Sequence, residues 1–225
     1  MRRIVRKFYW NFAQYVNWVR YAVIFKKFQG FTMIPQNLYI SNLELSKKHS
    51  SIPGDIVECG TWKGGMIAGI AKLLGKNRNY FLFDSFEGLP AAKEIDGASA
   101  IEWQQNKNSK YYYNNCTASE QDAQNAMGIA GIKNPSIVKG WFNDSLPKAS
   151  LNKGIAILRM DADWYDSTLD ILKNMFGRVN KGGVIIIDDY YVWDGCSKAV
   201  HDFLSANRRT ERIRLHHGVC YIIKE

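Results

Sequence analysis

Apolar residues fall in short unbroken runs separated by longer stretches of mixed, helix-like composition, and the alternation recurs along most of the chain. Runs at 55–59, 80–83, 137–139, 155–160 and 184–187 are predicted strands, with two more around Ile213 and over 219–223. Between them, helices are predicted over 36–48, from Gly65 to about Leu74, and over 119–130, 167–179 and 196–206. Strands that read as continuous apolar runs are those covered on both faces. Strand and helix in turn predict an α/β domain with a mostly parallel sheet and helices on both sides. Residues 86–117 are polar, rich in Asn, Lys and Tyr, and show no sustained period, so they are expected to form a lid or substrate loop. No repeat and no linker divides the body, which leaves one domain over 31–225 after an N-terminal segment of 1–30.

That segment carries the charge asymmetry. The 225-residue chain has a formal charge of +9, and no acid precedes Glu44, whereas Arg2, Arg3, Arg6, Lys7, Arg20, Lys26 and Lys27 all do. The remaining excess is only +2, which argues against a nucleic-acid groove through the body. Asn11, Gln14, Asn17 and Arg20 recur every third position among aromatic residues. This gives a helix a polar stripe and rules out an ordinary membrane span. Such a helix is expected to pack on the domain or on a partner subunit, or to rest at an anionic lipid surface. Cys59, Cys116, Cys196 and Cys220 form no C-x-x-C pair, which fits a reducing cytoplasm, with peripheral contact at the inner membrane face as an extension.

Two acidic clusters close apolar runs: Asp161-Ala162-Asp163 and Asp188-Asp189. Carboxylates crowded at the ends of buried strands repel one another and resist leaving water, and a divalent cation reconciles them. Asp161, Asp188 and Asp189 are the expected ligands. Oxygen donors of this kind suit magnesium, manganese or calcium. Asp188 and Asp189 reach one ion only if the chain turns there, since adjacent strand residues face opposite ways. Asp163, two residues beyond Asp161, is placed to face a substrate beside the ion. A carboxylate at ~3.9 and water at ~15.7 differ by about 12 units, on the order of 16 kcal/mol, so no aspartate deprotonates a hydroxyl unaided. A metal that stabilises the developing alkoxide makes transfer to Asp163 feasible.

Upstream, Glu58-Cys59-Gly60-Thr61-Trp62-Lys63-Gly64-Gly65 is a glycine-rich strand-to-helix turn that brings backbone close to a ligand. Its spacing is not the G-x-G-x-x-G of nicotinamide enzymes. Glu58 would suit a ligand amino group, and Asp84, 24 residues beyond Gly60, would suit ribose hydroxyls. Trp141 and Tyr190 are candidates for stacking on adenine or a sugar ring. His49, His201, His216 and His217 read as loop, packing or turn residues, and no Ser-His-Asp or Cys-His order appears.

These motifs, with Phe83-Asp84-Ser85-Phe86-Glu87-Gly88-Leu89-Pro90, Gly140-Trp141-Phe142-Asn143-Asp144-Ser145-Leu146-Pro147, Asp161 to Thr168, and Asp188-Asp189-Tyr190 with Trp193 and Gly195-Cys196, resemble the macrocin O-methyltransferase family. The resemblance runs from about Thr32 to Tyr221. It implies a Rossmann-like class I methyltransferase fold with a seven-stranded sheet, S-adenosylmethionine as methyl donor, and magnesium on Asp161, Asp188 and Asp189. It further implies Asp163 as general base and a homodimer or higher homo-oligomer. Glu58, Gly60, Thr61, Gly64, Asp84, Ser85 and Trp141 are then the expected cofactor-binding residues. The implied reaction is O-methylation of a sugar hydroxyl on a glycoside, natural product, or nucleotide- or lipid-linked polysaccharide precursor. The N-terminal segment and the Tyr111-Tyr112-Tyr113-Asn114-Asn115 lid depart from the antibiotic enzymes, so the antibiotic sugar does not carry over. A catechol-like acceptor, or a non-catalytic membrane-recruiting adapter, are the rival expectations.

Overall fold

The computed structural model describes residues 16–225. Residues 16–28 form helix α1, followed by α2 (Gln36–Lys48), β1 (Asp55–Cys59), α3 (Gly65–Leu74) and β2 (Tyr80–Asp84). The lid contains α4 (Ala98–Gln105), and beyond it come α5 (Glu120–Ala130), β3 (Ser136–Lys139) and the single turn α6 (Phe142–Ser145). The second half comprises β4 (Ile155–Met160), α7 (Tyr165–Met175), β5 (Val179–Ile187), α8 (Asp194–Ala206), β6 (Arg214–His216) and β7 (Val219–Ile223).

The seven strands lie in the order β3-β2-β1-β4-β5-β7-β6. The first five are parallel, and β7 runs antiparallel to both β5 and β6. β1 and β4 are neighbours, yet the chain leaves them toward opposite edges. This is the topological switch point of an open α/β sheet, where a crevice opens beyond the carboxyl ends of the strands.

Each central strand is buried on both faces, as its unbroken apolar composition requires. Ile157 and Ile186 face a layer containing Tyr39, Leu43, Ile67, Ile70 and Met127. Their neighbours Leu158, Ile185 and Ile187 face the other layer, with Ile171, Met175, Val200 and Phe203. Each fully buried aliphatic side chain contributes about 1.5–3 kcal/mol.

The boundary between α7 and β5 differs from expectation. The 3.6-residue pattern after Asp166 stops at Met175, a 3-10 turn covers Phe176–Arg178, and β5 begins early at Val179. The register shift between Ile155 and Ile157 absorbs the extra residues on β5. The lid is not featureless. Asp96 Oδ1 accepts from the Tyr165 amide at 2.7 Å, and Trp164 Nε1 donates to the Pro90 carbonyl at 3.0 Å. Trp103 of α4 stacks edge-on against Trp164 and Trp193, so the lid is stitched to the body.

In α1, Tyr21, Ile24 and Phe28 enter the core while Val16, Trp18, Val19 and Val23 are exposed. Asn11 and Gln14 of the expected polar stripe lie outside the described residues. Among the described residues no helix is long and apolar enough to cross a membrane.

Candidate active site

Four strand ends meet at the switch point and supply the site in sequence. β1 runs into the Gly60–Gly65 turn, β2 ends on Asp84, β4 is followed by Asp161 and Asp163, and β5 by Asp188 and Asp189. Gly60 has φ +82, and a Cβ there would overlap the Asp161 carbonyl. Only glycine lets the β1 and β4 exits cross this closely. Above them lies a cavity of about 580 Å³, whose wall includes Gly60, Asp84, Ser85, Trp141, Asp161 and Asp163.

Asp84 is buried, and both its oxygens are anchored: Oδ2 accepts from the Trp62 amide and Oδ1 from the Phe86 amide, each at 2.7 Å. Burial pushes its carboxyl up, against the pull of those amides. Trp62 and Phe86 both have positive φ, so the backbone on either side is bent to aim its N–H groups at this carboxylate. Thr61 is buried beneath the turn with its hydroxyl unpartnered. Gly64, φ +77, does not reach the cavity, because its Cα side faces Ala123 of α5 and Leu82.

The acids divide between two partners. Asp161, Asp163 and Asp189 each place a carboxylate oxygen within 4.8 Å of the others. Asp189 is fixed by its Oδ2 accepting from the Ala162 and Asp163 amides, both at 3.0 Å. Asp163, at φ +56, has Oδ1 held by Trp193 Nε1 at 2.9 Å. Burial, reinforced by Asp161, raises the Asp163 carboxyl to about 8, and burial with Asp163 beside it raises Asp189 as well. A carboxylate whose charge is opposed by burial and by neighbouring anions is one that a cation would relieve. The hard-oxygen donor set fits magnesium or a similar ion.

Asp188 takes a different partner. The chain does turn here, with Asp188 helical at φ −68 and ψ −46, but its Oδ1 meets Arg159 at 2.6 Å. It is therefore outside the three-aspartate group.

Arg159 is the residue that sequence reasoning passed over. It is 1% exposed, and its guanidinium meets Glu58 and Asp161 at 2.9 Å each as well as Asp188, with Asn42 of α2 accepting from Nε at 3.2 Å. The signal was present: one cation inside the run Ile155 to Met160, with acids closing the run. It also relocates Glu58. Glu58 and Arg159 are register partners on β1 and β4, so their side chains share a face. The Glu58 carboxylate is thus turned into the core on Arg159 and not onto the cavity wall where a ligand amino group would sit.

Glu58 has a consequence for stability. One cation serves three carboxylates, and burial outweighs Arg159 in raising Glu58 to about 8. The folded chain then keeps a proton that the unfolded chain releases near ~4.3, so stability falls as pH rises from about 4 toward 8. Glu211 acts in the opposite sense. Burial pushes it up, but Arg209, its own backbone and Lys224 win and bring it to about 2, so its contribution is lost as pH falls below about 4.5. The melting temperature is expected to peak near pH 5, and Glu58→Gln is expected to make the alkaline limb shallower, with Asp163 and Asp189 supplying the rest. A wild-type profile that rises steadily from pH 5 to 8 would contradict this ordering.

Comparison with known proteins places this geometry in a family. A family model described as macrocin O-methyltransferase (TylF) matches residues 28–221. The chain is 34% identical over 161 residues to demethyldecarbamoylnovobiocin O-methyltransferase of Streptomyces niveus, covering 68% of this chain and 59% of that protein. It is 32% identical over 167 residues to mycinamicin III 3''-O-methyltransferase of Micromonospora griseorubida, covering 70% and 63%. The chain thus spans about three fifths of the length of these curated relatives. Among solved structures, the O-methyltransferase NovP matches with a TM-score of 0.72 at 27% identity, over 86% of this chain and 82% of that one. The calicheamicin methyltransferase CalS11 matches at 0.66 and 16% identity, over 91% of each chain, which speaks to fold alone. By sequence and by architecture, the chain belongs to the macrocin O-methyltransferase family and has the class I methyltransferase fold.

Proposed function

We propose that the protein is an S-adenosylmethionine- and magnesium-dependent O-methyltransferase acting on a sugar hydroxyl. The observation that carries this reading is the trio Asp161, Asp163 and Asp189, gathered within 4.8 Å beside a cavity of about 580 Å³. The curated relatives are named as O-methyltransferases of demethyldecarbamoylnovobiocin, of mycinamicin III and of a tetracenomycin bearing a rhamnosyl group.

When bound, S-adenosylmethionine supplies an electrophilic methyl group. Gly60 lets it approach the β1 exit, and Asp84 faces the cavity where ribose hydroxyls would be accepted. Ser85 and Trp141 complete that wall, with Trp141 39% exposed and so open to stacking, while Thr61 and Gly64 shape the turn. When bound, magnesium supplies the positive charge that lowers the cost of forming an alkoxide. Asp161 and Asp189 would hold it. Asp188, the third ligand implied by the family, would have to reach the ion by Oδ2, because its Oδ1 is taken by Arg159. Asp163 would take the hydroxyl proton on Oδ2, because Trp193 occupies Oδ1 and the side chain lines the cavity. Stacked Trp103, Trp164 and Trp193 would keep water out above it and hold the acceptor in line.

The acceptor class is tested by methyl transfer to a panel of nucleotide-linked sugars, glycosides and catechols. Transfer to vicinal sugar hydroxyls is expected, and transfer to catechols alone would replace the sugar reading.

The membrane reading for the N-terminal segment is supported by Val16, Trp18, Val19 and Val23 facing outward in a stretch without acids. An anionic surface matches both features. The full chain is expected to sediment with phosphatidylglycerol vesicles and not with phosphatidylcholine vesicles, and Val23→Glu is expected to release it. Equal sedimentation of Val23→Glu, or a dimer by light scattering that the variant dissociates, would assign the face elsewhere.

A further inference from the structure

We propose that Glu44, His216 and His217 form a second metal site, selective for a nitrogen-preferring divalent ion such as zinc, between α2 and the β6–β7 hairpin. One ligand atom from each residue lies within 4.8 Å of the others. Adjacent residues of an extended strand point to opposite faces, so His216 and His217 would ordinarily diverge. His217 and Gly218, at φ +45 and +90, are instead the two central residues of the tight turn that joins β6 to β7. That turn returns the His217 ring to the side of His216, with centroids 4.4 Å apart at 61°. Glu44, the first acid of the chain, meets His216 from α2, with Oε2 2.8 Å from Nε2. Ser41, three residues earlier on α2, donates to the His217 carbonyl at 3.4 Å and ties the turn to the same helix.

Two imidazoles and a carboxylate, with a position left to water, are the donor set of three-ligand zinc sites. Ligand atoms around a tetrahedral zinc ion stand about 3.4 Å apart, given metal–ligand distances of ~2.1 Å. His217 is exposed, so its side chain has room to turn toward the pair. The chemistry also separates this site from the aspartates: imidazole nitrogen favours zinc, nickel and copper, whereas the all-oxygen cluster favours magnesium. A plain Glu44–His216 ion pair makes no use of His217, whose ring the hairpin turn sets beside that pair. The hairpin lies at the active-site end of the sheet, since Cys220 pairs with Ile187 just before Asp188. α2 carries Asn42, which bonds Arg159, so an ion here would brace the helix that holds that network.

The test uses the untagged full chain, stripped by a chelator, dialysed and supplied with excess magnesium. Zinc titration by calorimetry is expected to give one ion per chain, and cobalt to give visible d–d absorption. His217→Ala and Glu44→Gln should each weaken binding at least tenfold, while Asp161→Asn should leave it unchanged. Zinc should raise the melting temperature of the wild type and not of His217→Ala. Wild-type affinity in His217→Ala, loss of binding in Asp161→Asn, or no saturable uptake would each overturn the proposal.

Discussion

Arg159→Met is expected to destabilise the protein by about 3–5 kcal/mol, the cost of removing one partner of a buried ion pair. A domain of this size has only about 5–15 kcal/mol to lose, so the variant should sit near the edge of folding at 25 °C. The reason is local. Arg159 is 1% exposed and is the shared counter-charge for Glu58, Asp161 and Asp188, and its Nε also bonds Asn42. Methionine fills the volume but leaves those carboxylates facing one another without a cation. Arg159→Lys keeps a charge but loses the planar fork that reaches several acids at once, so an intermediate loss is expected. Urea unfolding of the three proteins measures both effects. A methionine variant within about 1 kcal/mol of the wild type would show that the network is not what holds the β1–β4–β5 exits together.

The second large effect is on chemistry. Asp161→Asn is expected to lower magnesium-dependent methyl transfer by at least about a hundredfold, more than the 10–100-fold typical of residues that only support a metal ligand. The fold should survive, because the asparagine oxygen can still accept from Arg159, and Glu58 and Asp188 remain on the guanidinium. Trp193→Phe separates the supporting role: it keeps the ring stacked on Trp164 but removes the donor to Asp163, and about a tenfold loss in kcat with little change in KM is expected. Paired measurements of turnover and thermal stability decide the matter. Full activity in Asp161→Asn would remove this carboxylate from the mechanism.

Much of this was legible in the chain before any coordinates. The five parallel strands announce themselves as apolar runs because both faces of each are covered, and the acids at their ends mark the rim where ligands bind. The lid was less legible. Its helix Ala98–Gln105 is short, and its hold on the body comes from single long-range contacts such as Asp96 to Tyr165 and Pro90 to Trp164, which leave no period in the sequence. The setting of Glu58 was hidden for a related reason. A carboxylate before a glycine turn looks free for a ligand until β1 and β4 are put in register, which sets Arg159 beside it. The division of the aspartates depends on the same pairing, since Arg159 draws Asp188 away from the trio. The left-handed turn at His217 likewise depends on a backbone angle that residue types alone do not specify.

The most direct test of the account follows labelled methyl groups from S-adenosylmethionine to a sugar acceptor before and after exhaustive treatment with EDTA. Transfer is expected to stop on chelation and to return when magnesium is restored. Undiminished transfer by the chelated protein would contradict it, because the clustered aspartates would then have no cation to organise and the hydroxyl no means of losing its proton.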